Sequence, residues 1–205
     1  MSALDLIQSG HRVFIHGSAQ TPTSFMRALA AEAPRLKNVE LVFISVYGDM
    51  YIDKAEYADS FRMNTMFVSA SVRQAVKEGR ADYIPVFLSE IPELFKKNIL
   101  PIDVAVVQVS TPDQHGYCSL GVSVDVARSA VNTAKKVIAV INSNVPRTHG
   151  DGMIHVSRFA ATMESNDPLH EASFGEKAGA AEIQIGKNIA ELIDHLLERC
   201  RPFLL

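Results

Sequence analysis

The stretch VAVVQV, Val104–Val109, has apolar residues at both odd and even positions, and VIAVI, Val137–Ile141, repeats this pattern. A strand built this way is apolar on both faces. Such strands are typical of parallel sheets, which helices cover on both sides. Gly121–Thr133, between the two runs, is expected to hold the crossover helix. These features predict an α/β fold with an open, mostly parallel sheet flanked by helices.

The same pattern continues toward both ends of the chain. Further strands are predicted from apolar runs at Val13–His16, Glu40–Val46, Met66–Ala70, Tyr83–Leu88 and Met153–Ser157. Helices are predicted where apolar residues recur at helical spacing, at Thr23–Ala33, Val72–Glu78, Ser89–Lys97 and Asn188–Cys200. Alternating strands and helices agree with the parallel α/β fold.

Composition narrows the class of protein. The chain has 205 residues, of which 47% are hydrophobic. This length and composition favour a single domain that spans residues 1–205. A net charge of −3 argues against a nucleic-acid or anionic-membrane binder. No apolar run is long enough for a membrane span, and Met1–Asp5 lacks the features of a signal peptide. Cys118 and Cys200 are expected to be reduced thiols, so we predict a cytoplasmic location.

The first candidate loop is HGSAQTP, His16–Pro22, between a predicted strand and a predicted helix. Gly17, Ser18 and Ala19 are small, so backbone N–H groups could face a ligand beside the positive end of the helix. This favours a phosphate, a carboxylate or a developing oxyanion. The alternative is a tight turn in which Ser18 or Thr21 caps the helix.

The second and third candidate loops follow the two central strands. In Ser110–Gly121, Asp113 and His115 could form an acid/base pair, but turn chemistry around Gly116 is favoured for these residues. The loop as a whole is expected to be functional, because it is long and follows a central strand. Asn142–Gly152 supplies Asn144 and Arg147, and a guanidinium suits an anion. His149 and Asp151 lack a third metal ligand, so no metal site is predicted.

The fourth candidate loop, Met163–Gly179, is rich in carboxylates. A carboxylate near His170 could act as a nucleophile or general base, and the candidates are Glu164, Asp167, Glu171 and Glu176. The favoured interpretation is a solvated acidic loop with a turn at Asp167-Pro168.

Five stretches in this order resemble the acetyl-CoA hydrolase/CoA-transferase family, close to the 4-hydroxybutyrate CoA-transferases. They are HGSAQTP, STPDQHGYCSLGVSVD, NSNVPRTHGDGMIHVS, DPLHE and IQIGKNIAELI, and the resemblance runs from about Leu6 to Ile193. It implies a CoA-transferase-type α/β fold of two similar domains, of which this chain is the first. It also implies transfer of CoA from an acyl-CoA to a carboxylate, through a glutamyl-CoA intermediate on a glutamate of the second domain.

By this resemblance Gly17, Ser18, Ala19 and Gln20 line the acyl or carboxylate pocket, and Asn144 and Arg147 are also assigned to substrate binding. CoA is a substrate, and no covalent cofactor is implied. The expected partners are an acyl-CoA, a small carboxylate and a second CoA-transferase domain, supplied in cis or in trans. An oligomer is expected, because the face that meets that domain would otherwise be exposed.

The pattern changes after Ile193, where DHLLERCRPFLL follows. The nucleophilic glutamate has no counterpart in this sequence, so the resemblance assigns no catalytic residue to the chain and implies that it is inactive alone. Three origins stay open: a truncated chain, a frame-shifted gene and a half-length subunit. Two other functions also stay open, acetyl-CoA hydrolysis and non-catalytic binding of CoA or an anion.

Overall fold

The computed structural model describes residues 2–171 and 178–200, with side chains up to residue 193 in the last helix. Seven parallel strands form the main sheet, in the order β4-β3-β2-β1-β5-β7-β9. Their bounds are β1 Arg12–Ile15, β2 Val39–Phe43, β3 Phe61–Thr65, β4 Ala81–Tyr83, β5 Val104–Val109, β7 Lys136–Asn142 and β9 Ala161–Ser165. The predicted parallel α/β sheet is confirmed.

Two further strands, β6 Tyr117–Ser119 and β8 Met153–His155, form a small antiparallel ribbon. The α-helices are α1 Thr23–Ala31, α2 Arg73–Lys77, α3 Ile91–Lys96, α4 Ala127–Thr133 and α5 Ala180–Cys200. In the described residues no helix is both long and apolar enough to cross a membrane. The crossover helix predicted between the two central strands is α4, and the ribbon strand β6 precedes it.

The two faces of the sheet carry separate cores, because side chains alternate along each strand. Val104 and Val106 of β5 point into a first core with Phe25 and Leu29 of α1. The intervening residues point into a second core, which the helices α3 and α4 cover with Phe95 and Val131. All six residues of β5 are buried. Burial on both faces explains why VAVVQV lacks the alternation of a half-exposed strand.

Two strand predictions are wrong in position. The third strand is β3, Phe61–Thr65, and not Met66–Ala70. The hydroxyl of Thr65 donates to the carbonyl of Phe67 at 2.6 Å, which turns the backbone directly after β3. Met66 is nevertheless buried in the second core. The apolar character of this run therefore reflects core packing outside the strand.

The strand predicted at Tyr83–Leu88 is also misplaced, because β4 ends at Tyr83. Pro85 has no N–H to donate to a neighbouring strand. Phe87 and Leu88 are 76% and 63% exposed. These apolar residues therefore belong to a surface segment that leads into α3.

The fourth candidate loop is partly a strand, because β9 spans Ala161–Ser165 and pairs with β7. Its residues alternate between half-buried and exposed, as an edge strand with polar positions does. The interpretation of Met163–Ser165 as loop is wrong. Residues 172–177 of the same candidate loop lie outside the described residues.

The chain divides into two compact units after Glu171. The second contains α5, which begins at Ala180, eight residues earlier than the predicted Asn188. Its described side chains are all exposed, and the large apolar ones are Ile183, Ile185, Ile189, Leu192 and Ile193. The assignment of 1–205 to one domain stays a prediction.

Candidate functional site

The strand order of the main sheet reverses between β1 and β5. In open parallel α/β sheets such a reversal leaves a crevice at the carboxyl ends of the two strands, where ligands bind. HGSAQTP follows β1 and STPDQHGYCSLG follows β5. The topology therefore places the first two candidate loops at the same crevice.

The turn after β1 packs against the segment that follows β2. A Cβ atom on Gly17 would lie 2.3 Å from the backbone oxygen of Ser45, so only glycine allows this approach. Ser18 has a φ of 54°, in the left-handed region. Its N–H donates to the same Ser45 oxygen at 2.6 Å, and Ser18 forms a parallel bridge with Val46. These contacts fix the turn in one conformation.

Some N–H groups of the turn are already used. The N–H of Gln20 donates to the carbonyl of Gly17, and that of Thr21 donates to the carbonyl of Ser18, each at 3.1 Å. Within residues 2–171 and 178–200, no hydrogen bond has the N–H of Gly17 or Ala19 as its donor. The helix α1 starts directly after the turn, and its N-terminal end carries positive partial charge. The turn can therefore offer two N–H donors to an anion.

His16 lies at the base of the turn and is fully buried. Its Nδ1 accepts a hydrogen bond from the N–H of Gln108 at 3.3 Å, and its Nε2 lies 2.6 Å from the carbonyl oxygen of Ser123. A carbonyl only accepts, so Nε2 carries the proton. Burial lowers the pKa of His16, although the charge of Asp125 opposes this shift. The neutral ring therefore joins the turn to β5 and to the segment before α4.

Three buried amide side chains connect the ends of the central strands. Gln20 comes from the turn, Gln108 from β5 and Asn142 from the end of β7. Gln108 Nε2 donates to Gln20 Oε1, and Asn142 Nδ2 donates to Gln108 Oε1, each at 3.2 Å. Sequence reasoning missed Gln108, although one amide in an otherwise apolar strand signals a need for buried partners.

Asp113 and Arg147 link the loops after β5 and β7. The carboxylate of Asp113 accepts from the N–H groups of His115 at 2.9 Å and Tyr117 at 2.8 Å. Arg147 Nη2 donates to the other carboxylate oxygen of Asp113 at 2.7 Å. The bond from Tyr117 is the largest cause that lowers the pKa of Asp113. The geometry agrees with turn chemistry for Asp113, and it places Arg147 in an ion pair.

Asn144 joins the loop after β7 to the segment after β9. Its Nδ2 donates to the carbonyl oxygens of Asn166 at 3.0 Å and Asp167 at 3.1 Å. Its backbone N–H donates to Oδ1 of Asn142 at 2.9 Å. Asn144 is therefore connected to Gln20 through the buried amides. In the described part of the chain, no hydrogen bond joins Arg147 to the turn that contains Gly17.

A second concave surface lies beside α1, where an open cavity of about 490 Å³ is lined by Thr23, Arg27, Asp167, Pro168, Leu169, His170 and Glu171. His170 Nε2 lies 2.8 Å from the hydroxyl of Thr23. Burial lowers the pKa of His170, and Asp167 opposes this. Asp167 and Glu171 bring negative charge next to Arg27, so this cavity suits an anion less well than the turn does.

The described side chains form no grouped metal site, and the described cysteine, Cys118, is not a reactive thiol; the side chain of Cys200 lies outside the described residues. In the described residues, no three His, Cys, Asp or Glu side chains are grouped as metal ligands. Asp151 instead lies 3.5 Å from Arg128. Cys118 is buried, and burial raises the pKa of its thiol to about 11. This thiol is protonated at neutral pH and is a poor nucleophile.

Comparison with known protein families decides the class of the chain. A model of the acetyl-CoA hydrolase/transferase N-terminal domain matches residues 1–185. The chain belongs to this family. The resemblance inferred from the five sequence stretches is confirmed.

The relatives of the chain within this acetyl-CoA hydrolase/transferase family include CoA-transferases. The 4-hydroxybutyrate coenzyme A transferase of Clostridium kluyveri is 41% identical over 192 residues, covering 94% of this chain and 44% of that protein. A succinyl-CoA:acetate/propanoyl-CoA:succinate CoA transferase of Fasciola hepatica is 40% identical, covering 90% of this chain and 38% of that protein. The chain thus spans less than half the length of these relatives.

Solved structures support the predicted fold. RipA from Yersinia pestis superposes with a TM-score of 0.77 at 26% identity, covering 87% of this chain and 44% of that one. A 4-hydroxybutyrate CoA-transferase from Porphyromonas gingivalis superposes with a TM-score of 0.67 at 29% identity, covering 86% of this chain and 41% of that one. The CoA-transferase-type α/β fold is therefore confirmed.

Proposed function

We propose that this chain is the N-terminal domain of an acyl-CoA:carboxylate CoA-transferase of the acetate or 4-hydroxybutyrate type. Such an enzyme moves CoA between a short-chain acyl-CoA and a free carboxylate. Family membership and relatives named as CoA-transferases support this function. The observation that carries the proposal is the pair of N–H donors of Gly17 and Ala19, which no acceptor in the described residues uses, at the switch point of the sheet.

The proposed chemistry uses a glutamate of a second domain, present in cis or in trans. Its carboxylate attacks the thioester carbonyl and the C–S bond breaks. The CoA thiolate departs, and an acyl-glutamyl anhydride is formed. The thiolate then attacks the glutamyl carbonyl, which releases the first carboxylate and forms glutamyl-CoA. The incoming carboxylate reverses these two steps, so the new acyl-CoA forms without net loss of water or charge.

In this proposal the chain binds the reacting oxygens. The N–H groups of Gly17 and Ala19 stabilise the oxyanion that forms at each tetrahedral step. Ser18 holds the turn against Ser45, and Gln20 lies on its buried side. Asn144 and Arg147 are also proposed to bind the substrate, and the ion pair with Asp113 holds the guanidinium of Arg147 in place.

The partners follow from the same chemistry. We infer that the active assembly contains a second CoA-transferase domain, that it is oligomeric, and that it acts in the cytoplasm on an acyl-CoA and a small carboxylate. CoA is a substrate in this scheme, and the chain has no part in nucleic-acid binding. We expect the chain alone to be inactive, because the nucleophile belongs to the second domain.

The test combines this chain with a separately expressed second domain of the Clostridium kluyveri relative. Exchange of label between acetate and acetyl-CoA is measured for the assembled pair and for each half alone. We expect exchange only in the pair. An assembled pair that shows no exchange with any short-chain carboxylate would contradict the proposal.

Hydrolysis is the second candidate, because the matched family model describes both hydrolases and transferases. Water would replace the incoming carboxylate at the glutamyl thioester. Free thiol release from acetyl-CoA, measured without added carboxylate, separates the two reactions. Fast thiol release that acetate does not divert into exchange would favour the hydrolase.

A further inference from the structure

The hydrogen bonds between the buried amides of Gln20, Gln108 and Asn142 run in one donor-to-acceptor direction. All three side chains are at most 2% exposed. They lie at the carboxyl ends of neighbouring parallel strands, β1, β5 and β7, so their hydrogen bonds run across the strands. Placing three amides in a core is costly unless each group is paired. A row of apolar side chains would fill this space without that cost.

Two backbone groups fix the first amide of the row. The N–H of Asn144 requires an acceptor and meets Asn142 Oδ1 at 2.9 Å. The carbonyl of Asp167 requires a donor and meets Asn142 Nδ2 at 2.9 Å. A backbone N–H only donates and a carbonyl only accepts, so the oxygen and the nitrogen of Asn142 cannot be exchanged.

This orientation passes along the row. Asn142 Nδ2 faces Gln108, so Gln108 must present Oε1 to it and turn Nε2 toward Gln20. Gln20 must in turn present Oε1, which leaves its Nε2 on the far side. Aligned amides polarise one another, and this strengthens the donor at the end of the row.

The last donor of the row is the Nε2 group of Gln20. Gln20 Nε2 is buried and makes no hydrogen bond within the described residues. It lies under the turn at Gly121, where a Cβ atom would be 1.8 Å from it. Gly121 ends the loop that follows β5, so the donor lies against one of the two loops that border the crevice between β1 and β5. An acceptor that reached it would satisfy a donor whose burial is otherwise unfavourable.

We propose that Gln108 and Asn142 are positioning residues that fix the amide of Gln20 as a hydrogen-bond donor to a carboxylate or thioester oxygen of the substrate. This inference rests on the proposed function. Because Gln20 is covered, the substrate oxygen reaches Nε2 through a small displacement of the Gly121 turn. Neither Gln108 nor Asn142 touches the substrate.

The test observes the side-chain amide of Gln20 directly in the full chain. Its two proton resonances are assigned in a ¹⁵N-labelled sample by their loss in Gln20→Met, and acetate is the probe. We expect acetate to shift these resonances downfield in a saturable way, together with the backbone amides of Gly17 and Ala19. Gln20→Met keeps the side-chain volume without the donor, and acetate should bind it about 10-fold more weakly.

Asn142→Asp tests the positioning role. The new carboxylate cannot donate, so Gln108 should turn Nε2 toward position 142 and Gln20 should turn Oε1 toward Gly121. We expect the Gln20 response to acetate to disappear while Gly17 and Ala19 still respond. If Asn142 served only to fill space in the core, Asn142→Asp would not reverse the amide of Gln20. Asn98→Asp makes the same chemical change at an exposed turn and should leave all responses unchanged.

Several outcomes would overturn the inference. If acetate shifts Gly17 and Ala19 but never Gln20, the donor serves an interior water only, and the proposed function stands. If Asn142→Asp folds and Gln20 still responds, the positioning role is wrong. If Asn142→Asp does not fold, an unchanged acetate affinity in Gln20→Met is sufficient to reject it. If acetate shifts none of these amide resonances, either in the chain alone or in the assembled pair used for label exchange, both proposals fail.

Discussion

Gly17 makes the tightest backbone approach at the candidate site, because a Cβ there would lie 2.3 Å from the Ser45 oxygen. We expect Gly17→Ala to force the turn away from β2 and to lower the free energy of unfolding by about 1–3 kcal/mol. Urea denaturation measures this change. Gly186→Ala is the control, because a Cβ there has no neighbour within 4 Å. It should be neutral or stabilising by up to about 1 kcal/mol. Equal urea midpoints for Gly17→Ala and the parent would contradict the prediction.

His16 should make stability depend on pH. Its pKa in the folded protein is lowered from the ordinary 6.5, so the unfolded chain takes up the proton first as the pH falls. The contribution of His16 is complete above the ordinary pKa and is lost progressively below it. We expect the free energy of unfolding to fall from pH 7.5 toward pH 5.5. His16→Gln should flatten this dependence.

The pH experiment compares urea denaturation of the parent and the variant across that range. The dependence should be flattened but not abolished in His16→Gln, because burial also lowers the pKa of His170. His170→Gln provides the comparison for the pH dependence that remains in His16→Gln. If His16→Gln keeps the full pH dependence of the parent, the imidazole is not the group responsible.

Sequence could identify the turn residues but not the network beneath them. Gly17, Ser18 and Ala19 are small residues next to each other, and a local pattern is enough to predict a close backbone approach. Gln20, Gln108 and Asn142 are far apart in sequence. Their contacts depend on the order of β1, β5 and β7, which no local pattern reports.

At the scale of the elements, the loop after β5 depends on one carboxylate. Asp113 accepts from two backbone N–H groups and pairs with Arg147. We expect Asp113→Ala to release the tip of this loop and to speed hydrogen exchange at the amides of His115 and Tyr117. The measurement is residue-resolved exchange by NMR.

Asp151→Ala is the control for this element. Asp151 is an exposed carboxylate in the loop after β7, 3.5 Å from Arg128. Its removal should leave exchange at His115 and Tyr117 unchanged. Equal exchange rates in the parent and in Asp113→Ala would show that the β6–β8 ribbon holds the loop without this carboxylate.

The elements that sequence predicted well are the ones buried on both faces. β5 and β7 were placed within one residue, because continuous apolar runs have one explanation in a parallel sheet. β3 and β9 contain polar residues at alternate positions, and neighbouring apolar residues drew the prediction away from β3. β9 is also an edge strand, and one side of an edge strand has no neighbouring strand, which weakens its sequence signal further.

For the whole molecule, the exposed apolar residues near the end of β4 predict self-association. Tyr83, Phe87 and Leu88 are large, exposed and close together in sequence. Contiguous apolar surface favours association. We expect light scattering to show a concentration-dependent increase in mass for the isolated chain, and Phe87→Ser with Leu88→Ser to reduce it.

Ile99→Ser is the matched control for association, because Ile99 is also an exposed apolar side chain but follows α3. This variant should associate like the parent. A parent chain that remains a monomer at all concentrations would contradict the prediction. Equal loss of association in both variants would show a general effect of surface polarity.

The order of the strands also has a consequence for synthesis. The first strand made, β1, becomes the middle of the sheet, and its neighbour β5 is made much later. Asp103, whose carboxylate binds the N–H of Arg12, follows it by 91 residues. Contacts between such distant segments close slowly. While the ribosome makes the first hundred residues, β1 therefore has only β2 to pair with on one side. A nascent chain paused before β5 should recruit chaperones, and a chain paused after β7 should release them.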